Sequence, residues 1–112
     1  MFAQNNLVEL QSRYRISAEG TADPTPKVAN EYHAVLHECY NVLAKSDEGR
    51  RLITALMSDS NPHVRCWAAA HSLQWAAAEA RNTLEQLRDA GGVCSFDAEM
   101  VLAEYQKRSL TF

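Results

Sequence analysis

The chain has 112 residues, close to the commonest size of one domain, and we expect a single domain over residues 1–112. Hydrophobic residues make up 46% and charged residues 22%, values that exclude a disordered, collagen-like or disulfide-stapled chain. The formal net charge of −3 argues against a general nucleic-acid binder, which needs many Lys and Arg side chains on one face.

Apolar residues recur at helical spacing from the start of the chain. The first predicted helix runs over about residues 6–19, and Gly20 is expected to end it with a positive φ. A second helix begins at Pro26, with Thr25 as its N-cap, and ends near Ala44. The apolar stripe of the first helix is Leu7, Leu10, Tyr14 and Ala18, and that of the second is Val28, Tyr32, Val35, Leu36, Cys39, Val42 and Leu43.

The middle of the chain predicts two further helices with clear start signals. Ser46 or Asp47 caps a short third helix. Asn61 caps the fourth helix and Pro62 stands at its first position. The fourth helix carries Val64, Trp67, Ala68, His71 and Trp75 at helical spacing.

The last part of the chain predicts two more helices. The apolar phase shifts after Trp75, so we place a bend there and begin the fifth helix near Ala77. Gly91 and Gly92 end the fifth helix, and Ser95 caps the sixth. No segment predicts a convincing strand. About six short helices joined by short loops indicate an all-α fold of antiparallel pairs.

One segment, residues 59–70, has the pattern of a helical repeat. Pro62 starts its helix, and Val64 is expected to bury against a neighbouring helix. Asp59 and Arg65 lie six residues apart, which favours a charged link between the turn and the helix. Three consecutive alanines, 68–70, would let helix backbones approach closely.

This pattern resembles a HEAT repeat, and the chain over about residues 5–110 resembles a small bacterial family of HEAT-like, all-helical domains of unknown function. The resemblance rests on residues 30–32, 49–52, 62–73 and 95–100. It implies an α-α superhelix of the HEAT/ARM kind and a role in protein binding. It also suggests toxin immunity, and it carries over no catalytic residue.

Residues that often carry chemistry do not form a recognisable constellation. His33 and His37 have the i, i+4 spacing of metal ligands, but no third ligand is evident, so we expect no metal and no cofactor. Cys39 and Cys66 are expected to be small core residues rather than nucleophiles. Trp67 is expected mainly to fill the repeat core, as is Trp75, although either could be an exposed anchor for a partner. We therefore expect no enzymatic activity.

Cellular location is predicted from what the sequence lacks. The three cysteines form no CxxC pair, no apolar run approaches the roughly 20 residues of a membrane span, and residues 1–6 do not read as a signal peptide. We expect a cytoplasmic protein with reduced thiols that does not bind a membrane.

Acidic residues are concentrated between residues 79 and 104, where six acids face only two bases. We predict that Glu79, Asp89, Asp97 and Glu104 form a docking surface for a basic partner, with a simply solvated face as the alternative. The leading hypothesis is an immunity-type inhibitor that binds and neutralises a bacterial toxin domain. A general adaptor or a HEAT-like nucleic-acid-binding module remains the alternative, and the oligomeric state is left open.

Overall fold

The structure, a computed structural model, describes residues 2–108, with side chains from Asn6 onward. Residues 1 and 109–112, which belong to the expected domain 1–112, lie outside this range. The helices are α1 (Phe2–Gly20), α2 (Pro26–Leu43), α3 (Asp47–Ala55), α4 (Pro62–Ser72), α5 (Ala77–Ala90) and α6 (Ser95–Gln106), with a 3₁₀ turn at Leu56–Ser58. Within residues 2–108 there is no strand, so the predicted all-α class is confirmed.

Helix α4 begins as the sequence predicts. The Asn61 side chain accepts hydrogen bonds from the backbone N–H groups of His63 and Val64, at 2.9 and 3.3 Å, and Pro62 occupies the first turn. Ser46 caps α3 in the same way, accepting from the N–H of Gly49 at 3.0 Å. These starts are set by residues within three positions of the cap, so local sequence is enough to predict them.

Other helix ends depart from prediction because residues distant in the chain decide them. Gly20 keeps a negative φ, and its hydrogen atom makes room for the Tyr32 ring, with which a Cβ would collide. Ser95 is the first residue of α6 rather than its cap, because its hydroxyl donates to the carbonyl of Arg88 at 2.6 Å and so ties α6 to α5. Thr25 stands at the N-cap of α2, but its side chain makes no capping hydrogen bond.

Helix α4 ends at Ser72, three residues before Trp75, although no helix breaker is present. The Gln74 side-chain amide donates to the carbonyl of His71 at 3.0 Å and so satisfies a group at the helix end. The Trp75 indole N–H donates to Thr54 Oγ1 at 2.9 Å, which turns the chain toward α3. Tertiary hydrogen bonds thus take the place of the missing breaker.

The core consists of two hydrophobic clusters that meet at α4. The first cluster joins α1, α2, α3 and α4, and Val64 and Ala68 are its α4 residues with no exposed surface. The second joins α4, α5 and α6, and Ala69 is the corresponding residue there. Small side chains on both sides let α4 lie at the centre, and Val64 is fully buried as predicted.

Two valines of the predicted α2 stripe, Val35 and Val42, are exposed instead of buried. Helix α2 packs mainly against α1, so the buried part of its surface is narrower than the apolar stripe. Within residues 2–108, no helix combines the length and the apolar character that crossing a bilayer requires. The α-α superhelical arrangement implied by the HEAT resemblance stays a prediction.

The charged link at the repeat has a different partner from the one expected. Asp59 accepts hydrogen bonds from Arg15 of α1 at 2.8 and 3.3 Å, and the Asn61 backbone N–H also donates to it. Partial burial acts to raise the pKa of Asp59, but these hydrogen bonds and the charges of Arg15 and Arg65 hold the pKa below its usual value. Arg65 therefore contributes as a nearby charge, and α1 supplies the direct contact.

Candidate functional site

A cavity of 490 Å³ lies between α4 and α6 and is closed on a third side by the α1–α2 loop and α2. Its volume falls within the range of about 300–1,000 Å³ that is typical of ligand pockets. Apolar and sulfur-bearing side chains alternate with a few polar groups around it. The lining residues are Thr21, Ala22, His33, His63, Cys66, Trp67, Ala70, Cys94, Asp97, Met100 and Val101.

A thiol and an imidazole meet at the wall of this cavity. Cys94 Sγ lies 3.3 Å from His63 Nδ1, and the Cys94 side chain is buried. Such a pair could in principle make a nucleophile, but burial and then the nearby Asp97 charge raise the pKa of Cys94. Burial, with smaller contributions from Cys94 and Asp97, raises the pKa of Cys66 to about 12. Both sulfurs therefore keep their hydrogen near neutral pH and behave as small core groups.

Trp67 forms a fixed aromatic wall of the cavity. Its indole N–H donates to Thr21 Oγ1 at 3.0 Å, and the His33 ring meets it edge to face with centroids 4.9 Å apart. The rest of the Trp67 side chain packs on the first hydrophobic cluster. The expectation that this tryptophan fills the core is therefore only partly met, because one part of it also faces the cavity.

Among the lining residues that the structure describes, Asp97 is the only one with a carboxylate, and none is a Lys or an Arg. The other titratable nitrogen groups are the imidazoles of His33 and His63. Asp97 is exposed, and its charge adds to burial, the main cause, in raising the pKa of both cavity thiols. The sequence singled out Asp97 for its acidity alone. The structure adds that it stands where α6 meets the cavity.

The structure does not gather the four predicted acids into one depression. Glu79 lines a separate depression with Asp47, Arg50, Arg51, Thr54, Trp75 and Ala76. Asp89 accepts hydrogen bonds from its neighbour Arg88 at 2.9 and 3.4 Å, and this pairing lowers its pKa. Asp97 and Glu104 are exposed on α6, seven residues apart and so on one flank.

Next to Asp97, α6 exposes large apolar side chains that the sequence analysis did not single out. Phe96 is 69% exposed and Met100 is 44% exposed, and the i, i+4 spacing places both on one face of the helix. Val93, just before the helix, is 73% exposed. We call Val93, Phe96, Met100 and Asp97 the α6 face.

A second polar cluster is fully internal. The Tyr14 hydroxyl lies 2.6 Å from Nδ1 of His71, and the Tyr40 ring stacks on the imidazole with centroids 4.0 Å apart. Burial, helped by the charge of His37, lowers the pKa of His71 to about 3. This neutral, enclosed histidine joins α1, α2 and α4 and offers no surface to a ligand.

The histidine pair on α2 is not assembled with further metal ligands. His33 contacts Trp67, while the His37 ring lies 6.0 Å from that of Tyr40. In the described part of the chain, no three His, Cys, Asp or Glu side chains are grouped so that they could hold a metal ion.

No family model matches the chain, and no curated protein or solved structure matches it significantly.

Sequence reasoning missed two features of the site for different reasons. The Cys94–His63 pair joins positions 31 residues apart, and no spacing pattern in the sequence predicts this contact. The Phe96–Met100 pair could have been found, because it lies opposite the buried residues Ala98 and Leu102 and gives α6 an apolar residue on each side.

Proposed function

We propose that this chain is a non-enzymatic protein-binding module that acts in the cytoplasm as an immunity-type inhibitor of a toxin domain. The observation that carries the proposal is the α6 face, where Phe96 and Met100 stand exposed beside Asp97. Exposed large apolar side chains that lie together mark interaction sites more often than scattered ones do. The HEAT-like pattern supports the same class of function.

The charge on α6 indicates the kind of partner. Residues 95–106 contain three acids, Asp97, Glu99 and Glu104, and no Lys or Arg. On the side of Phe96 and Met100, an apolar centre beside Asp97 fits a partner that carries an apolar pocket within a basic surface. Another side of α6 borders Arg81, Arg88 and Arg108. Toxic nucleases bind phosphate through basic clefts, so an acidic helix would both attract such an enzyme and cover its active site.

A nucleic-acid-binding role has less support. The more basic depression, between α5 and α6, has Arg81, Arg88 and Arg108 beside Glu85, and Arg88 already pairs with Asp89. Arg50 and Arg51 line another depression, which also contains Asp47 and Glu79. The Arg50 side chain donates to the carbonyl of Ala44 at 2.8 Å, and its guanidinium lies over the Trp75 ring at 5.6 Å. These internal contacts compete with phosphate for the guanidinium. A general adaptor would use the same α6 face, and it differs only in having no toxin as partner.

The test is protection from the toxin-like product of a gene adjacent to the one encoding this chain. Cells expressing that product would also carry the gene for the wild-type protein, for the Phe96→Ala variant, or for the Ile16→Ala variant as a matched control. Ile16 is 58% exposed but lies on α1, away from the α6 face. We expect protection by the wild type and Ile16→Ala and its loss with Phe96→Ala.

Equal protection by Phe96→Ala and Ile16→Ala would show that the binding surface does not include Phe96. Absence of protection by the wild type would contradict the inhibitor function. A photo-reactive residue placed at position 96, with position 16 as control, would then show whether an adaptor's partner binds there.

A further inference from the structure

The cavity and the α6 face are continuous, because Asp97 and Met100 belong to both. A partner seated on Phe96 therefore has an opening beside it. Interfaces gain most of their free energy from a few side chains that fill such pockets near the centre of the contact. The chemistry of the cavity indicates which side chain would fill it.

The electrostatics of the cavity favour a cation. Asp97 supplies a carboxylate, and none of the described lining residues is a Lys or an Arg. Burial is the main cause of the raised pKa of Cys66 and of Cys94. The Asp97 charge adds to both, while the Arg65 charge opposes it at Cys94. A cationic group entering here meets the Asp97 carboxylate, with the His33 and His63 imidazoles as the other titratable nitrogen groups of the lining and the Arg65 charge nearby.

The walls favour a flat, partly apolar body. Trp67 is held in place by its hydrogen bond to Thr21, and Met100, Val101 and Ala70 complete an apolar surface around it. A guanidinium stacks on an aromatic face and pairs with a carboxylate through two parallel hydrogen bonds, whereas an ammonium acts as a point charge. The volume of 490 Å³ holds a whole long side chain together with water.

We propose that this cavity receives one arginine side chain of the basic partner, with the guanidinium at Asp97 and Trp67 and the aliphatic part against Met100 and Val101. The inference rests on the proposed function and adds the residue type that the partner presents. It makes Asp97 a specificity-determining residue within the α6 face.

The test is a nuclear magnetic resonance titration of the full chain with a blocked arginine, N-acetyl-arginine methylamide. The chain has two tryptophans, and the indole N–H signal of Trp75, in the depression lined by Arg50, is an internal control. Trp75→Phe assigns the two signals. We expect the Trp67 signal to shift saturably with a dissociation constant in the millimolar range, while the Trp75 signal stays in place.

Matched probes and variants test each part of the proposal. Blocked lysine should bind more weakly, and the neutral isostere, blocked citrulline, should give no saturable shift. Asp97→Asn should weaken the binding of blocked arginine by roughly two- to fivefold, because an ion pair to an exposed carboxylate is lost. Glu79→Gln, which removes an acid from the other depression, should leave the affinity unchanged.

Absence of a saturable Trp67 shift, or equal binding of blocked citrulline or blocked lysine, would overturn the proposal. The result is independent of the protection test. If blocked arginine binds at Trp67 but Phe96→Ala still protects cells, the pocket binds arginine and the docking surface lies elsewhere than the α6 face. If blocked arginine does not bind but Phe96→Ala loses protection, the α6 face is the docking surface and the cavity does not receive an arginine.

Discussion

At the scale of single residues, His71 links the fold to pH. Its pKa is about 3 in the folded chain and near 6.5 when unfolded, so the unfolded state binds an extra proton between these values. The free energy of unfolding is then fully retained above pH 6.5 and falls as the pH decreases toward 3. The slope approaches about 1.4 kcal/mol per pH unit from this residue alone.

We predict that the wild type loses about 1.5 kcal/mol of unfolding free energy between pH 6.5 and about pH 5 through His71, before most carboxylates titrate. Urea unfolding at the two pH values measures this loss. In His71→Gln, which cannot titrate, the loss should be smaller by that amount. The same pH dependence in both proteins would show that the pKa of His71 is not lowered. If His71→Gln does not fold, titration of the His71 ring signals in the wild type by nuclear magnetic resonance measures that pKa directly.

Two arginines near Asp59 provide a second test at this scale. Arg15 contacts the Asp59 carboxylate directly, whereas Arg65 acts only as a nearby charge. We predict that Arg15→Ala lowers the melting temperature more than Arg65→Ala does, with both effects reduced by salt because the arginine side is solvated. A larger effect of Arg65→Ala in thermal unfolding would restore the link that the repeat pattern suggested.

At the scale of helices, the sequence correctly predicts those helix ends that residues close in the chain determine. The starts of α2, α3 and α4 follow from Pro26, Ser46 and Asn61, whose signals are local. The roles of Gly20 and Ser95 were mispredicted because the Tyr32 ring and the Arg88 carbonyl, contacts across helices, determine them. Local patterns therefore predict the elements better than their ends.

The same distinction applies to the candidate site. The acidity of α6 is visible in the sequence, and so is the spacing of Phe96 and Met100. The cavity is not, because its walls come from α2, α4, α6 and the α1–α2 loop, and only folding brings Thr21, His63 and Asp97 together. Likewise, the sequence could not show that Glu79 and Asp97 would line different depressions.

The end of α5 offers a matched pair of substitutions. Gly91 has a φ of 68° and Gly92 does not have a positive φ, while a Cβ at either position would meet open space. We predict that Gly91→Ala lowers the free energy of unfolding by about 1–2 kcal/mol, because an L-residue is strained in the left-handed region. Gly92→Ala should be nearly neutral in the same denaturant experiment, and equal effects would contradict a conformational origin.

At the scale of the whole molecule, the charge is distributed unevenly rather than being strong. The net charge is only −3, yet α6 alone carries three acids and no base. Long-range attraction between this helix and a basic partner would act mainly on the association rate. Salt would weaken it, since the Debye length is about 10 Å at 0.1 M and falls to about 3 Å at 1 M.

The central claim, that α6 docks a basic partner, is tested most directly by stopped-flow association with the partner identified in the protection assay. The α6 reversal, Asp97→Lys with Glu104→Lys, would be compared with the α5 reversal, Glu79→Lys with Asp89→Lys, so that both variants change the net charge equally. We predict that the α6 reversal slows association at low salt by roughly tenfold or more and removes most of its salt dependence, while the α5 reversal has a much smaller effect. Equal slowing by the two reversals, or an unchanged rate with the α6 reversal, would contradict the claim.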